Sequence, residues 1–155
     1  MAELTVGQPA PDFTLPASTG MSVTLSELRG KNIVLYFYPK DDTPGCTTQA
    51  CGFRDLHSAF ADLNTVILGV SPDPVKKHEK FISKYELPFI LLSDEEHTVL
   101  ESYGVWKEKN MYGKKYWGVE RTTLLIDAEG VLRKIYPKVK VAGHVDQVMA
   151  DVKAL

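Results

Sequence analysis

Two cysteines, Cys46 and Cys51, are the residues of this chain best placed to do chemistry. Cys46 follows Thr43-Pro44-Gly45 and precedes Thr47-Thr48, shortly after the apolar run Ile33–Tyr38. Ala50, Phe53, Leu56, Phe60 and Leu63 recur at helical spacing, so a helix opens near Pro44 with Cys46 in its first turn. Backbone N–H groups at a helix start lack partners, and the macrodipole is positive there, so an anion is stabilised. A thiolate is such an anion. A free thiol has a pKa of about 8.5 and is only a few per cent ionised at neutrality, and a helix N-terminus lowers that value. The sequence therefore sets a thiol where nucleophilic chemistry needs it ionised. The alternative, a small buried hydrophobe, has poor core neighbours in Thr43, Pro44, Gly45, Thr47 and Thr48.

Cys51 lies one and a half turns further on, about 140° round the helix from Cys46. It falls almost opposite the apolar face, on the side of Asp55 and Ser58. In an intact helix the two Cα atoms would be about 8–9 Å apart. A disulfide needs less than about 7 Å, so a Cys46–Cys51 bond requires the first turns to unwind. Otherwise Cys51 is an inert surface thiol. The adjacent Gly52 reads two ways, as a helix-weakening residue that eases unwinding or as a point of tight packing. The Cys-x4-Cys spacing is not the Cys-x2-Cys of a thioredoxin-type reductase. His57, His78, His97 and His144 are scattered and give no zinc or iron–sulfur spacing. No glycine-rich phosphate loop occurs, and no cofactor is expected.

The elements that must position these thiols follow from patterning. The chain has 155 residues, 18 Lys+Arg against 20 Asp+Glu, and a net charge of −2. That length predicts a single domain over residues 1–155, and the charge argues against nucleic-acid binding. The longest apolar run is far short of the ~20 residues a membrane span needs. The start, Met1-Ala2-Glu3-Leu4-Thr5-Val6-Gly7, lacks the features of a signal peptide, so a reducing cytoplasmic compartment is expected. Short strands are expected at Phe13–Leu15 and Val23–Leu25, and buried strands at Ile33–Tyr38 and Thr65–Val70. A helix should run from Pro44 to about Leu63, and another from Pro74 to about Glu86 with Phe81, Ile82 and Tyr85 inward. Phe89–Leu92 reads as a strand and Glu95–Tyr103 as a short helix closed by Gly104. Thr122–Ile126 and Val131–Tyr136 form an antiparallel pair, and a last helix begins near Gly143. Val105–Arg121 reads as one long irregular stretch. This order predicts an α/β fold with a central mixed sheet, helices on both faces, an N-terminal hairpin and a thioredoxin-like layout.

Pro39-Lys40-Asp41-Asp42-Thr43-Pro44-Gly45-Cys46 contains Pro-x3-Thr-x2-Cys, the signature of peroxiredoxins. The fourteen residues Asp42 to Asp55 resemble the peroxiredoxin Q branch, also called bacterioferritin comigratory proteins. The resemblance covers nearly the whole chain, including Ala10-Pro11-Asp12-Phe13, Gly104-Val105-Trp106, Met111-Tyr112-Gly113-Lys114 and Arg121-Thr122-Thr123-Leu124-Leu125-Ile126-Asp127. It implies that Cys46 is the peroxidatic cysteine, that the Thr43 hydroxyl orients the peroxide, that Pro39 shields the site, and that Arg121 lies beside the thiolate. Attack on an O–O bond develops charge on the leaving oxygen, and Arg121, the Thr43 hydroxyl and the Cys46 N–H would be donors fixed in advance for it. Many peroxiredoxins carry Glu where Gln49 stands here. Gln49 faces inward on the wheel and would bond Arg121 without neutralising it. Family members often have Phe where this chain has Leu124, which reads as a change in core packing.

The resemblance implies a thiol peroxidase for hydrogen peroxide and organic hydroperoxides. Cys46 becomes a sulfenic acid, Cys51 resolves it as a disulfide, and a thioredoxin-like donor reduces that disulfide. Some relatives place the resolving cysteine within a helix near residues 75–90, where this chain has none. A monomer or weak dimer is expected. The alternatives are a thiol–disulfide oxidoreductase and a redox-switched binding or chaperone protein on the same fold. Lys76-Lys77-His78-Glu79-Lys80 reads as a solvated helix face. The aromatics between Trp106 and Trp117 border a site or pack, and Arg54 and Asp55 belong to the family motif or form a surface ion pair.

Overall fold

The computed structural model describes residues 4–155. Asn32–Phe37 forms β3, whose side chains are buried on both faces from Ile33 onward. Such a strand can only be interior, and it is the middle of five. Its parallel neighbour is β4 (Thr65–Ser71), which pairs in parallel with β5 (Ile90–Ser93). On its other side β8 (Thr122–Ile126) runs antiparallel, followed by antiparallel β9 (Leu132–Tyr136). Across the sheet the order is β5-β4-β3-β8-β9. Val34, Tyr36 and Tyr38 point to one face, under α1 (Pro44–Asp55), α2 (His57–Asp62), α3 (Val75–Tyr85) and α5 (His144–Lys153). Ile33, Leu35 and Phe37 point to the other, covered by α4 (Thr98–Ser102) and the N-terminal hairpin of β1 (Thr14–Pro16) and β2 (Ser22–Thr24). The expected mixed sheet, helices on both faces and N-terminal hairpin are all present.

Three local expectations are corrected. The helix expected from Pro44 to Leu63 breaks at Leu56, whose ψ of 7° is off the helical value, giving α1 and α2. The short helix expected from Glu95 begins only at Thr98, because His97 is left-handed at φ 65°. The stretch expected to be irregular is an antiparallel hairpin, β6 (Trp106–Met111) with β7 (Lys114–Val119). Its turn is Tyr112-Gly113, with φ of 53° and 80°. Two consecutive positive φ angles match the strand twist and close a two-residue hairpin. Tyrosine is an unusual occupant of the first position, so the turn carried little signal.

The register explains how a distant cation reaches Cys46. Phe37, the last residue of β3, sits opposite Thr122, the first of β8. The loop leaving β3 and the residue entering β8 therefore lie side by side. The first carries Pro39 to Thr43 into α1; the second is Arg121.

Candidate active site

α1 starts without a side-chain cap. Thr43 occupies the N-cap with extended backbone (φ −95°, ψ 156°), but its hydroxyl donates to Lys40 O at 2.9 Å and not to the helix. Pro44 has no N–H to satisfy. The first intrahelical donor to the cap is Thr47 N–H, on Thr43 O at 2.8 Å. The Cys46 N–H thus remains among the orphan donors of the first turn, next to its own sulfur. Cys46 is 1% exposed, and Pro39 and Thr43, on the loop that feeds α1, are half-buried. The Thr43 hydroxyl, expected as a donor, has its proton committed to Lys40 O, which leaves its oxygen lone pairs as acceptors.

Arg121 spans the site. Its Nη2 donates to Cys46 Sγ at 3.2 Å and its Nη1 to Gln49 Oε1 at 2.6 Å. Gly45 makes room for this: a Cβ there would stand 3.3 Å from Arg121 Nη2. Gln49 is fully buried, and its Nε2 is, with Tyr36 Oη, a buried side-chain atom lacking a hydrogen-bond partner among the described residues. An unmet buried donor costs about 1–3 kcal/mol. Gln49 therefore accepts from Arg121 without adding a negative charge, and the guanidinium keeps its full charge for the sulfur. Behind Arg121, His144 Nε2 bonds Thr123 Oγ1 at 2.8 Å. Burial first, and the Arg121 charge second, push His144 down to about 4. Lys109 on β6 is half-buried and loses basicity through burial and then through Arg121, which puts the hairpin within electrostatic reach of the site.

Cys51 is half-buried and, like Cys46, a free thiol. α1 is continuous through both, so the separation of about 8–9 Å stands. Gly52 resolves toward packing: a Cβ would meet Val145 Cγ2 of α5 at 2.9 Å. Arg54 bonds Asp55 at 3.0 Å on the surface and also donates to Tyr85 O at 2.8 Å, tying α1 to α3. Leu124 is fully buried in the core, as expected.

The lysine-rich run is only partly the solvated face expected of it. His78 within it is fully buried, with Phe81 three residues on and Tyr85 a further turn along the same side. That i, i+3, i+7 spacing was the available signal, masked by the flanking lysines.

Residues 6–135 match the family model described as AhpC/TSA family. Peroxiredoxin Bcp of Bacillus subtilis is 55% identical over 96% of this chain and 94% of its own length. The chain belongs to the AhpC/TSA family and is a peroxiredoxin. Among solved structures, Xylella fastidiosa PrxQ superposes with a TM-score of 0.93 at 35% identity, over 99% of this chain and 98% of that one. Xanthomonas campestris bacterioferritin comigratory protein, solved in a study of its alkyl peroxide reduction activity, gives a TM-score of 0.88 at 45% identity, over 92% and 90%. The fold is thus the thioredoxin-like peroxiredoxin fold, and the activity class is thiol peroxidase. No helix among the described residues is long and apolar enough to cross a membrane.

Proposed function

We propose that this peroxiredoxin reduces hydrogen peroxide and alkyl hydroperoxides with Cys46 as nucleophile and Cys51 as resolving thiol. The observation that carries the reading is the Arg121 guanidinium bonded to Cys46 Sγ at 3.2 Å over an uncapped helix start. A cation and free backbone donors favour the thiolate and remain in place for the oxyanion that follows. The Cys46 thiolate attacks the distal peroxide oxygen. An S–O bond forms, the O–O bond breaks, and the leaving alkoxide or hydroxide takes a proton from solvent. Thr43 Oγ1 accepts the O–H of the incoming peroxide, since its own proton is held by Lys40 O. Pro39 limits access by water.

Cys46 is then a sulfenic acid. Unwinding of the first turns of α1 brings Cys51 to it; the S–O bond breaks, the S–S bond forms and water leaves. A thioredoxin-type dithiol reduces the disulfide and is itself oxidised. Two thiols in one chain suit a reducing cytoplasm. A resolving thiol on the same helix as Cys46 removes the need for a second subunit in the cycle, which supports a monomer or weak dimer. The test is turnover of hydrogen peroxide with thioredoxin and its reductase. Cys46→Ser should abolish it, and retained activity in that variant would overturn the assignment.

A further inference from the structure

Behind the loop that carries Thr43 into α1 lies a second polar cluster, closed to solvent. Asp41 Oδ2 stands 2.6 Å from His78 Nδ1, with their side chains 4% and 0% exposed. His78 Nε2 is 2.9 Å from Leu92 O on β5. A carbonyl only accepts, so Nε2 carries a proton. Tyr38 Oη donates to Asp41 Oδ1 at 2.5 Å. Burial holds the Tyr38 phenol well above its ordinary range, so it stays a donor. The remaining contact, Nδ1 to Oδ2, holds one proton between ring and carboxyl. Asp41 N–H is also engaged, by Asp73 Oδ2 at 2.6 Å. The same Asp73 oxygen accepts from Ser71 Oγ at 3.1 Å. Next along the chain, left-handed Asp42 (φ 58°) accepts from Lys84 Nζ at 2.8 Å and Tyr85 Oη at 2.7 Å.

The loop between Pro39 and Thr43 is therefore clamped to α3 and to the end of β4, not to α1, which it feeds. The Asp41 carboxylate is buried together with both of its side-chain partners, His78 and Tyr38, whereas the Asp42 contacts are exposed. We propose that the Asp41–His78 pair is the positioning element of the peroxide site, with His78 setting the Thr43 hydroxyl and the start of α1 against Cys46. His78 touches neither the thiol nor Arg121. It acts through the backbone of residues 41 to 43, so it is a positioning residue. This inference rests on the assignment of Cys46 as nucleophile.

The test compares three reduced proteins, the parent, His78→Phe and Asp41→Asn, in single-turnover reaction with hydrogen peroxide and in alkylation of Cys46 by iodoacetamide across pH. Phenylalanine fills the ring space but leaves the Asp41 carboxylate without its proton partner. Asparagine keeps both side-chain bonds, accepting from Tyr38 and donating to Nδ1 of a neutral His78, whose Nε2–H stays on Leu92 O. Displacement of a reacting group by about 1 Å costs up to about a hundredfold. We expect His78→Phe to slow peroxide reduction about ten- to a hundredfold and to alter the pH profile of alkylation while folded at 25 °C. Asp41→Asn should stay within about threefold of the parent, because it preserves the positioning. If His78→Phe does not fold, His78→Gln, which can reach only one of the two partners, takes its place with the same expectation. A folded His78 variant with the parent's rate and alkylation profile would overturn the inference. A parent that does not react with peroxide at all would instead remove the function on which it rests.

Discussion

Replacing Arg121 separates its charge from its geometry. The two bonds leave from different nitrogens, Nη1 to Gln49 at 2.6 Å and Nη2 to Cys46 at 3.2 Å. A lysine ammonium is a single point and cannot hold both. Unit charges about 4 Å apart attract by about 4 kcal/mol at an effective dielectric constant near 20, and by about 3 kcal/mol at about 5.5 Å. A lysine displaced by that much forfeits about 1 kcal/mol, or roughly fivefold in rate. Loss of a fixed donor at the developing oxyanion costs about 10²–10³ when complete. Arg121→Met should therefore lose about 10³ in the second-order rate constant for hydrogen peroxide. Arg121→Lys should lose about 30- to 100-fold, between the charge term alone and complete loss of the donor. Stopped-flow single turnover of the reduced protein measures both. A lysine variant within threefold of the parent would refute the argument that fork geometry matters beyond charge.

Gly52→Ala gains about 1 kcal/mol of helix propensity. It pays about 1–3 kcal/mol for a methyl placed 2.9 Å from Val145 Cγ2, so urea unfolding should show a net loss of up to about 2 kcal/mol. Adding Val145→Ala should recover the overpacking part, and a single variant more stable than the parent would contradict the contact. Gln49→Glu should neutralise Arg121 and slow peroxide reduction about tenfold at neutral pH, equivalent to about 1.4 kcal/mol of barrier, and an unchanged rate would show that the missing carboxylate is immaterial. His144 is lowered from 6.5 to about 4 in the folded protein, so between these values the unfolded chain binds more protons. Its contribution to stability is present above about pH 6.5, is lost as pH falls, and levels off below about pH 4. The urea midpoint should drop from pH 7 to pH 5 by less in His144→Gln than in the parent, and equal drops would assign the effect elsewhere.

What the sequence made legible was local. The all-apolar Ile33–Tyr38 run identified the central strand, and Pro44-Gly45 before a helical repeat placed Cys46 in a first turn without any alignment. The Arg121 contact crosses 75 positions and depends on the Phe37–Thr122 register, so only the family resemblance pointed to it. Gln49 was read inward from the helical wheel alone and is fully buried. His78 was misread because four charged neighbours outweighed one buried ring in a short window. The β6–β7 hairpin was missed because its strands face water on both sides along most of their length and lack the apolar alternation of a half-buried strand. Gly52 carried no decisive signal, since the Val145 methyl that fills its space lies on the last helix.

The central claim is that Cys46 and Cys51 work as a pair across a helix that must open. The intact mass of the reduced protein after one equivalent of hydrogen peroxide, with a peptide map, tests it most directly. Paired action of the two thiols predicts loss of two hydrogens and a Cys46–Cys51 linked peptide. Oxygen gained on Cys46 alone, with Cys51 still a free thiol, would contradict the pairing, and an unchanged mass would contradict the peroxidase chemistry itself.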